Sequence, residues 1–299
     1  MRLLSKLIAT LRKRERRPAP KPVISLFPAG HFYSPIPDLD DIRLRQANIW
    51  PAPKEMPGIP WNEDAQLDLL HGALRPYVAD IHFPVERPAD PRVYFYQNDQ
   101  FPCLDAEVLF CLLRHFTPRH MIEIGSGFSS LVTAQVNRDF LANRLHFTCI
   151  EPYPRQFLID GVEGISELVV RKVEDVPLSY FDRLQTGDML FIDSSHVSKV
   201  GSDVNHLFFE VLPRLNPGVL IHIHDIFLPD DYPKKWVLEE GRHWNEQYLV
   251  RAFLEFNSDF EILWASYFLA KYHRQAVEAV FPRFPALGSG GSLWLRRKG

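Results

Sequence analysis

The chain has 299 residues, 46% of them apolar, which is material for one large domain or at most two with an ordinary core. Residues 1–22 carry +7 against −3 for the whole chain, leaving −10 for the remainder, and a body that acidic repels phosphate and argues against nucleic acid as a partner. No apolar run approaches the ~18 residues needed to cross a bilayer, and Cys103, Cys111 and Cys149 form no CxxC pair, which points to reduced thiols and a cytoplasmic setting.

Leu3, Leu4, Leu7, Ile8 and Leu11 fall on one helical face, so residues 1–22 read as a basic amphipathic tail and linker. Lys6 interrupts the apolar stretch and the basic block follows it, which makes a poor signal peptide. The tail is either solvated or in weak contact with an anionic membrane surface. Pro18, Pro20 and Pro22 stiffen the linker. Residues 23–92, rich in proline and aromatics, form an N-terminal cap or a lid over a substrate pocket. Within them a helix is expected over Asp64–Arg75, with Leu67, Leu70 and Leu74 inward and Pro76 ending it. The next helix, Asp105–Phe116, buries Leu109, Phe110, Leu112 and Leu113, and Asp105 caps it.

The run Met121-Ile122-Glu123-Ile124-Gly125-Ser126-Gly127-Phe128-Ser129-Ser130 has the form of a strand, a tight turn and a helix start. Glycines there let bare backbone N–H groups approach a nucleotide-like ligand. Leu145–Glu151 is an apolar strand whose closing acid is spaced to meet ribose hydroxyls. Further strands are expected at Leu168–Val170, Met189–Asp193 and Val219–Asp225, followed by Phe260–Ala265 and Ser292–Leu295. Parallel strands that end in acids bring those acids to one rim, where open α/β sheets bind ligands.

In these features the chain resembles the class I S-adenosylmethionine-dependent methyltransferases, over roughly Tyr94 to the C-terminus. More narrowly, Phe191–His196 and His222–Phe227 look like an uncharacterised bacterial branch related to small-molecule O-methyltransferases. The resemblance implies a Rossmann-like, doubly wound α/β sheet of seven strands, mostly parallel with an antiparallel last strand, occupying residues 93–299. It implies S-adenosylmethionine as cofactor, held by Glu123, Gly125, Ser126, Gly127, Ser129, Ser130, Glu151, Asp175 on the adenine side, and Asp193. An NAD dehydrogenase fits less well, because Ser130 stands where the third glycine of that fingerprint would be.

Methyl transfer to a hydroxyl needs alignment and removal of a proton. Asp193, His196, His222, His224 and Asp225 supply the carboxylates and imidazoles, and the two-residue strand period puts His222 and His224 on one face. Catechol-type relatives bind a divalent ion with an acid after strand four and an Asp-Asn pair after strand five. Asp193 and Asp225 match those acids, with His224 beside them, while Ile226 replaces the Asn; Mg²⁺ or Mn²⁺ is the ion this pattern suggests. Tyr96, Asn98, Trp236 and Asn245 are substrate candidates, and the last two lie in a polar, aromatic stretch suited to a sugar-like ring. The helix after that stretch should bury Leu249, Ala252, Phe253 and Phe256. The expected activity is methylation of a small-molecule acceptor, on a hydroxyl of a sugar or similar polar compound, by a chain that is monomeric or a homo-oligomer. The alternatives are a metal-dependent oxygenase-like relative on the same fold and a non-catalytic cofactor-binding or membrane-docked interaction protein.

Overall fold

The structure is a computed structural model that describes residues 25–50 and 55–299. The basic segment 1–22, with its expected amphipathic helix and membrane contact, lies outside the described residues. The chain divides into two compact units, Met1–Gln46 and Ala47–Gly299. In the first, Asp38 caps a short helix, Leu39–Leu44, by accepting from the N–H groups of Asp40 and Asp41, and Phe27, His31, Phe32 and Tyr33 stack among themselves. The rest of the described chain belongs to the second unit, so residues 55–92 pack with the sheet. Among the described residues no helix is long and apolar enough to cross a membrane.

The second unit is built on a seven-stranded sheet of order β3-β2-β1-β4-β5-β7-β6. The strands are β1 (His120–Ile124), β2 (His146–Ile150), β3 (Glu167–Val169), β4 (Met189–Ile192), β5 (Leu220–Ile223), β6 (Phe260–Ala265) and β7 (Leu293–Arg297). Strands β1 to β5 are mutually parallel, and β7 runs antiparallel between β5 and β6. This is the expected Rossmann-like α/β fold. The order reverses between β1 and β4, which opens a crevice beyond their C-terminal ends. β4 is wholly apolar and buried, and β1 is buried from Met121 to Ile124 with Glu123 its one buried acid, as strands covered on two faces are.

Helix α1 (Cys103–Phe116) is buried along its whole length from Cys103 to Leu113. The expected single apolar face is therefore too narrow: residues 55–92 cover the other side, with Phe83 edge-on to Phe110 and Arg114 paired to Asp80. The helix expected over 64–75 begins at Glu63 and does not end at Pro76. It passes through a π-helical turn, Leu69–Leu74, into a 3₁₀ helix, Arg75–Asp80, where proline in the first turn loses no hydrogen bond.

Helix α2 (Phe128–Phe140) starts directly after the glycine turn. Glu123 on β1 is fully buried and accepts hydrogen bonds from the hydroxyls of Ser129 and Ser130, both at 2.5 Å. Ser130 Oγ in turn accepts from Gly127 N. The acid thus ties strand to helix and fixes the shape of the turn from behind. Burial pushes its carboxyl up to about 7, against the two hydroxyls that favour the charged form. A carboxyl held above its unfolded value of 4.5 binds more protons when folded. Its cost to stability is therefore absent at low pH, grows as pH rises, and is complete above about pH 7. Replacing it by Gln should remove that cost. Urea midpoints of Glu123→Gln and the unaltered chain should diverge between pH 4.5 and 7, the variant gaining about 3 kcal/mol; parallel pH profiles would show that the site is not strained by charge.

Candidate active site

The crevice between β1 and β4 holds a cavity of about 410 Å³ lined by Gly125, Glu151, Tyr153, Glu174, Asp193 and Ser195, among others. Gly125 has φ +79°, and a Cβ there would sit 1.8 Å from the Asp193 carbonyl oxygen, so only glycine fits where the two strands part. Glu151 accepts from Ser126 N at 3.1 Å and Tyr153 N at 2.7 Å, which fixes its carboxylate at the cavity wall. Asp175 is exposed and does not line this cavity; the 3₁₀ turn Val173–Asp175 turns Glu174 toward it instead. Glu123, Ser129 and Ser130 also fall outside the lining, because their polar atoms are spent on one another behind the turn.

A second cavity of about 790 Å³ lies beside the first, and Asp193 lines both. Its floor is His196, His224 and Asp225, and its walls include Trp50, Phe227, Trp236, Trp244 and Tyr267. His196 Nε2 lies 3.2 Å from Asp193 Oδ1 and 3.7 Å from Asp225 Oδ2. His224 Nδ1 faces the same two groups at 3.4 and 3.8 Å. Asp193, His196 and Asp225 offer ligand atoms that all lie within 4.8 Å of one another, the spacing of a metal-binding set. His196 and Asp225 both have φ +58°, a conformation that costs a non-glycine residue of order 1–3 kcal/mol and clusters at functional sites.

Each imidazole is held from behind by a buried carboxylate. Glu246 Oε2 lies 2.9 Å from His196 Nδ1, and Asp105 Oδ2 lies 3.3 Å from His224 Nε2. Asp105 is no simple cap. Its carboxylate accepts from Gly291 N and Ser292 N at 2.9 and 3.1 Å, and a Cβ on Gly290 would come within 1.9 Å of it. The Gly288–Ser292 loop before β7 is thus moulded around an acid from α1.

Burial alone would lower the pKa of His196, but hydrogen bonds to Asp193 and Glu246 push it up to about 10. Burial opposes charge on His224 as well, and Asp225, Asp193 and Asp105 hold it well above the usual imidazole value. Asp193 is kept well below the carboxylate range despite burial, chiefly by His224 and then His196. Burial raises Asp225 and Glu246, since four carboxylates share two imidazoles.

Three expected site residues, and Ile226 beside them, take other places. His222 lies deeper on β5, stacked 3.7 Å from Phe191 with Nε2 on Ser292 Oγ at 2.7 Å, and burial holds its pKa well below the usual value. Being two residues short of the rim, it lines neither cavity. Tyr96 is buried and donates to Glu107 at 2.6 Å. Asn245 binds Ser198 N and O rather than facing the cavity. Ile226 turns into the core, its N–H donating to Gly291 O. Asn98 and Trp236 do line the larger cavity, although Asn98 spends its amide on the backbone of Phe95, Gln100 and Phe101. Helix α3 (Glu246–Leu254) buries Glu246, Gln247, Val250 and Leu254; of the expected apolar set Leu249 and Phe253 pack partly against the core, while Ala252 is exposed and Phe256 is 85% exposed. Polar residues face inward there because Glu246 meets His196 and Gln247 Oε1 accepts from Phe227 N. Sequence reading missed Asp105, Glu246 and the Gly288–Ser292 loop as parts of the site; the glycine run before β7 was the one local sign.

A family model described as a methyltransferase domain matches residues 122–226, from β1 to the start of the loop after β5. An uncharacterized protein of Archaeoglobus fulgidus is 36% identical over 165 residues, 54% of this chain and 74% of that one. Among solved structures, the chain is similar to the O-methyltransferase TomG of Streptomyces achromogenes, involved in tomaymycin synthesis and solved with S-adenosylmethionine (17% identity, 87% and 96% of the two chains covered, TM-score 0.41). It is also similar to an O-methyltransferase of Bacillus cereus solved with S-adenosylhomocysteine (12% identity, 87% and 100% covered, TM-score 0.34). Superpositions that loose carry no functional argument. The matched model says what lies at the centre of the sheet: residues 122–226 carry a methyltransferase domain.

Proposed function

We propose that the protein is an S-adenosylmethionine-dependent O-methyltransferase acting on a hydroxyl of a sugar or similar polar small molecule. The observation that carries this reading is Asp193, the common wall of the crevice cavity and the aromatic-walled cavity. Cofactor in the first and acceptor in the second would meet at that residue. Gly125, Glu151 and Glu174 are the groups suited to the cofactor, with a glycine where any Cβ would collide and an acid already oriented by two backbone amides. When bound, S-adenosylmethionine supplies an electrophilic methyl group on a sulfonium. The aromatic walls suit the faces of a hydroxyl-rich ring. An open cavity of this size favours turnover over the binding-only alternative. Three buried free cysteines suit a reducing, cytoplasmic setting.

His196 is the base in this reading. A base must be unprotonated, and Asp193 and Glu246 together hold His196 as imidazolium. His196 must therefore first give its Nε2 proton to solvent; Glu246 on Nδ1 then leaves Nε2 aimed at the cavity to take the acceptor's hydroxyl proton as its oxygen gains the methyl group. Asp193 and Asp225 would hold a divalent ion, with His224 Nδ1, 3.4 and 3.8 Å from them, as the imidazole donor in place of His196, the third member of the closely spaced set; the ion would supply Lewis-acid polarisation of the acceptor hydroxyl. Imidazole in the set favours Mn²⁺ or a later transition metal over Mg²⁺.

Three outcomes are expected. In calorimetry the protein should bind S-adenosylmethionine or S-adenosylhomocysteine and not NAD, and Glu151→Ala should weaken that binding by about 1.5–3 kcal/mol, the value of a charged hydrogen-bond acceptor; tight NAD binding without response to either would sink the reading. Across a panel of glycosides and catechols, His196→Ala should slow S-adenosylhomocysteine release about 10²–10⁴-fold, as loss of a general base does, with cofactor affinity unchanged. Chelation should abolish turnover and Mn²⁺ restore it, with Asp225→Asn binding Mn²⁺ more weakly; full activity in metal-stripped protein would remove the metal from the mechanism.

A further inference from the structure

Three consecutive residues, Trp244, Asn245 and Glu246, all grip one residue fifty positions earlier, His196. The Trp244 ring lies against the imidazole with centroids 4.3 Å apart. The backbone N–H groups of Asn245 and Glu246 both donate to the His196 carbonyl, at 3.1 and 3.2 Å. Asn245 also takes Ser198 N at 2.6 Å, two residues further along the same loop. The Glu246 carboxylate meets His196 Nδ1 at 2.9 Å.

The partnership is exclusive on the acid's side. Glu246 is 0% exposed, its Oε1 has no hydrogen-bond partner, and among the described residues its one side-chain bond is to His196. Burying a carboxylate at the start of a helix for one bond is costly. Nothing in the packing requires it, since Val250 and Leu254 already anchor α3 in the core. What the acid does accomplish is to choose between the two ring nitrogens. With Nδ1–H committed to Glu246, Nε2 is the nitrogen left for Asp193, Asp225 and the cavity. The backbone bonds meanwhile hold His196 at its positive φ.

We infer that Glu246 is the positioning residue for His196, fixing the ring with Nδ1–H toward itself and Nε2 toward the cavity, while Trp244 and Asn245 clamp the loop that carries it. Trp244 also lines the larger cavity, with Arg242 stacked on it and on Trp236, so the clamp is continuous with the acceptor wall. The inference rests on the reading of His196 as the base.

The test is a long-range ¹H–¹⁵N spectrum of the full chain labelled with ¹⁵N-histidine, with the His196 signals assigned by their loss in His196→Gln. In the unaltered protein a hydrogen-bonded proton should appear on Nδ1, far downfield and slow to exchange. In Glu246→Gln it should move upfield and exchange roughly tenfold faster, as the acceptor changes from a carboxylate to a neutral amide oxygen. In Glu246→Ala it should vanish, and Glu246→Asp should restore it in part. Glu246→Gln keeps the side-chain volume and decides the matter should Glu246→Ala fail to fold. A bare Nδ1 in the unaltered protein, or spectra of Glu246→Gln indistinguishable from it, would overturn the assignment. The spectrum needs neither acceptor nor turnover. It can therefore fail while His196→Ala is still inactive, which separates this inference from the reading beneath it.

Discussion

Four carboxylates converge on two imidazoles at the C-terminal rim of the sheet, and the surrounding structure is arranged to make that tolerable. Asp105 and Glu246 are fully buried, and Asp193 and Asp225 are partly so. Charges taken out of water need partners of opposite sign and good geometry, or they destabilise the fold. Each imidazole here touches three carboxylates, and each acid reaches at least one imidazole. The geometry this demands explains features that otherwise look unrelated. Asp225 and His196 adopt left-handed backbone, Gly290 lacks the Cβ that would strike Asp105, and α3 begins with two inward polar residues.

The sheet was legible because its signals are local. Each strand is a short apolar run that ends near an acid or a turn, and two-residue alternation with punctuation is enough to find it. The glycine turn was legible for the same reason, as was the cluster at the ends of β4 and β5, whose members sit within a few residues of one another in the chain. Distance in sequence marks where the reading stopped. Glu246 reaches His196 across 50 residues, and Asp105 reaches Gly291 across 186. On a helix, an Asp in the first turn reads as a cap and a Glu as solvated surface, because propensity carries no information about what will pack against it.

Depth was the other quantity that pattern could not supply. His222 and His224 do share a face of β5, their rings 5.7 Å apart. Period alone cannot say that one of them stops at the rim while the other lies a full repeat inside, pressed between Phe191 and Trp294. The same one-step ambiguity separates Glu174 from Asp175, where a 3₁₀ turn replaces the strand geometry that would have made alternation a guide. Ile226 is a related case. A polar residue was expected to follow Asp225 at the rim, yet Ile226 faces the core, and the polar groups near Asp225 at the rim are the imidazoles of His196 and His224.

Because one carboxylate, Asp193, forms part of two cavities, their occupants cannot be thermodynamically independent. Any group that alters the charge felt at Asp193 from one side changes binding on the other, and linkage requires the effect to be equal in both directions. A sulfonium carries a positive charge that a thioether lacks. Transfer of a methyl group would therefore remove an attraction on one face of Asp193 at the instant the acceptor on its other face is altered. On that reading a shared acid would let the completed reaction weaken the hold on its own product.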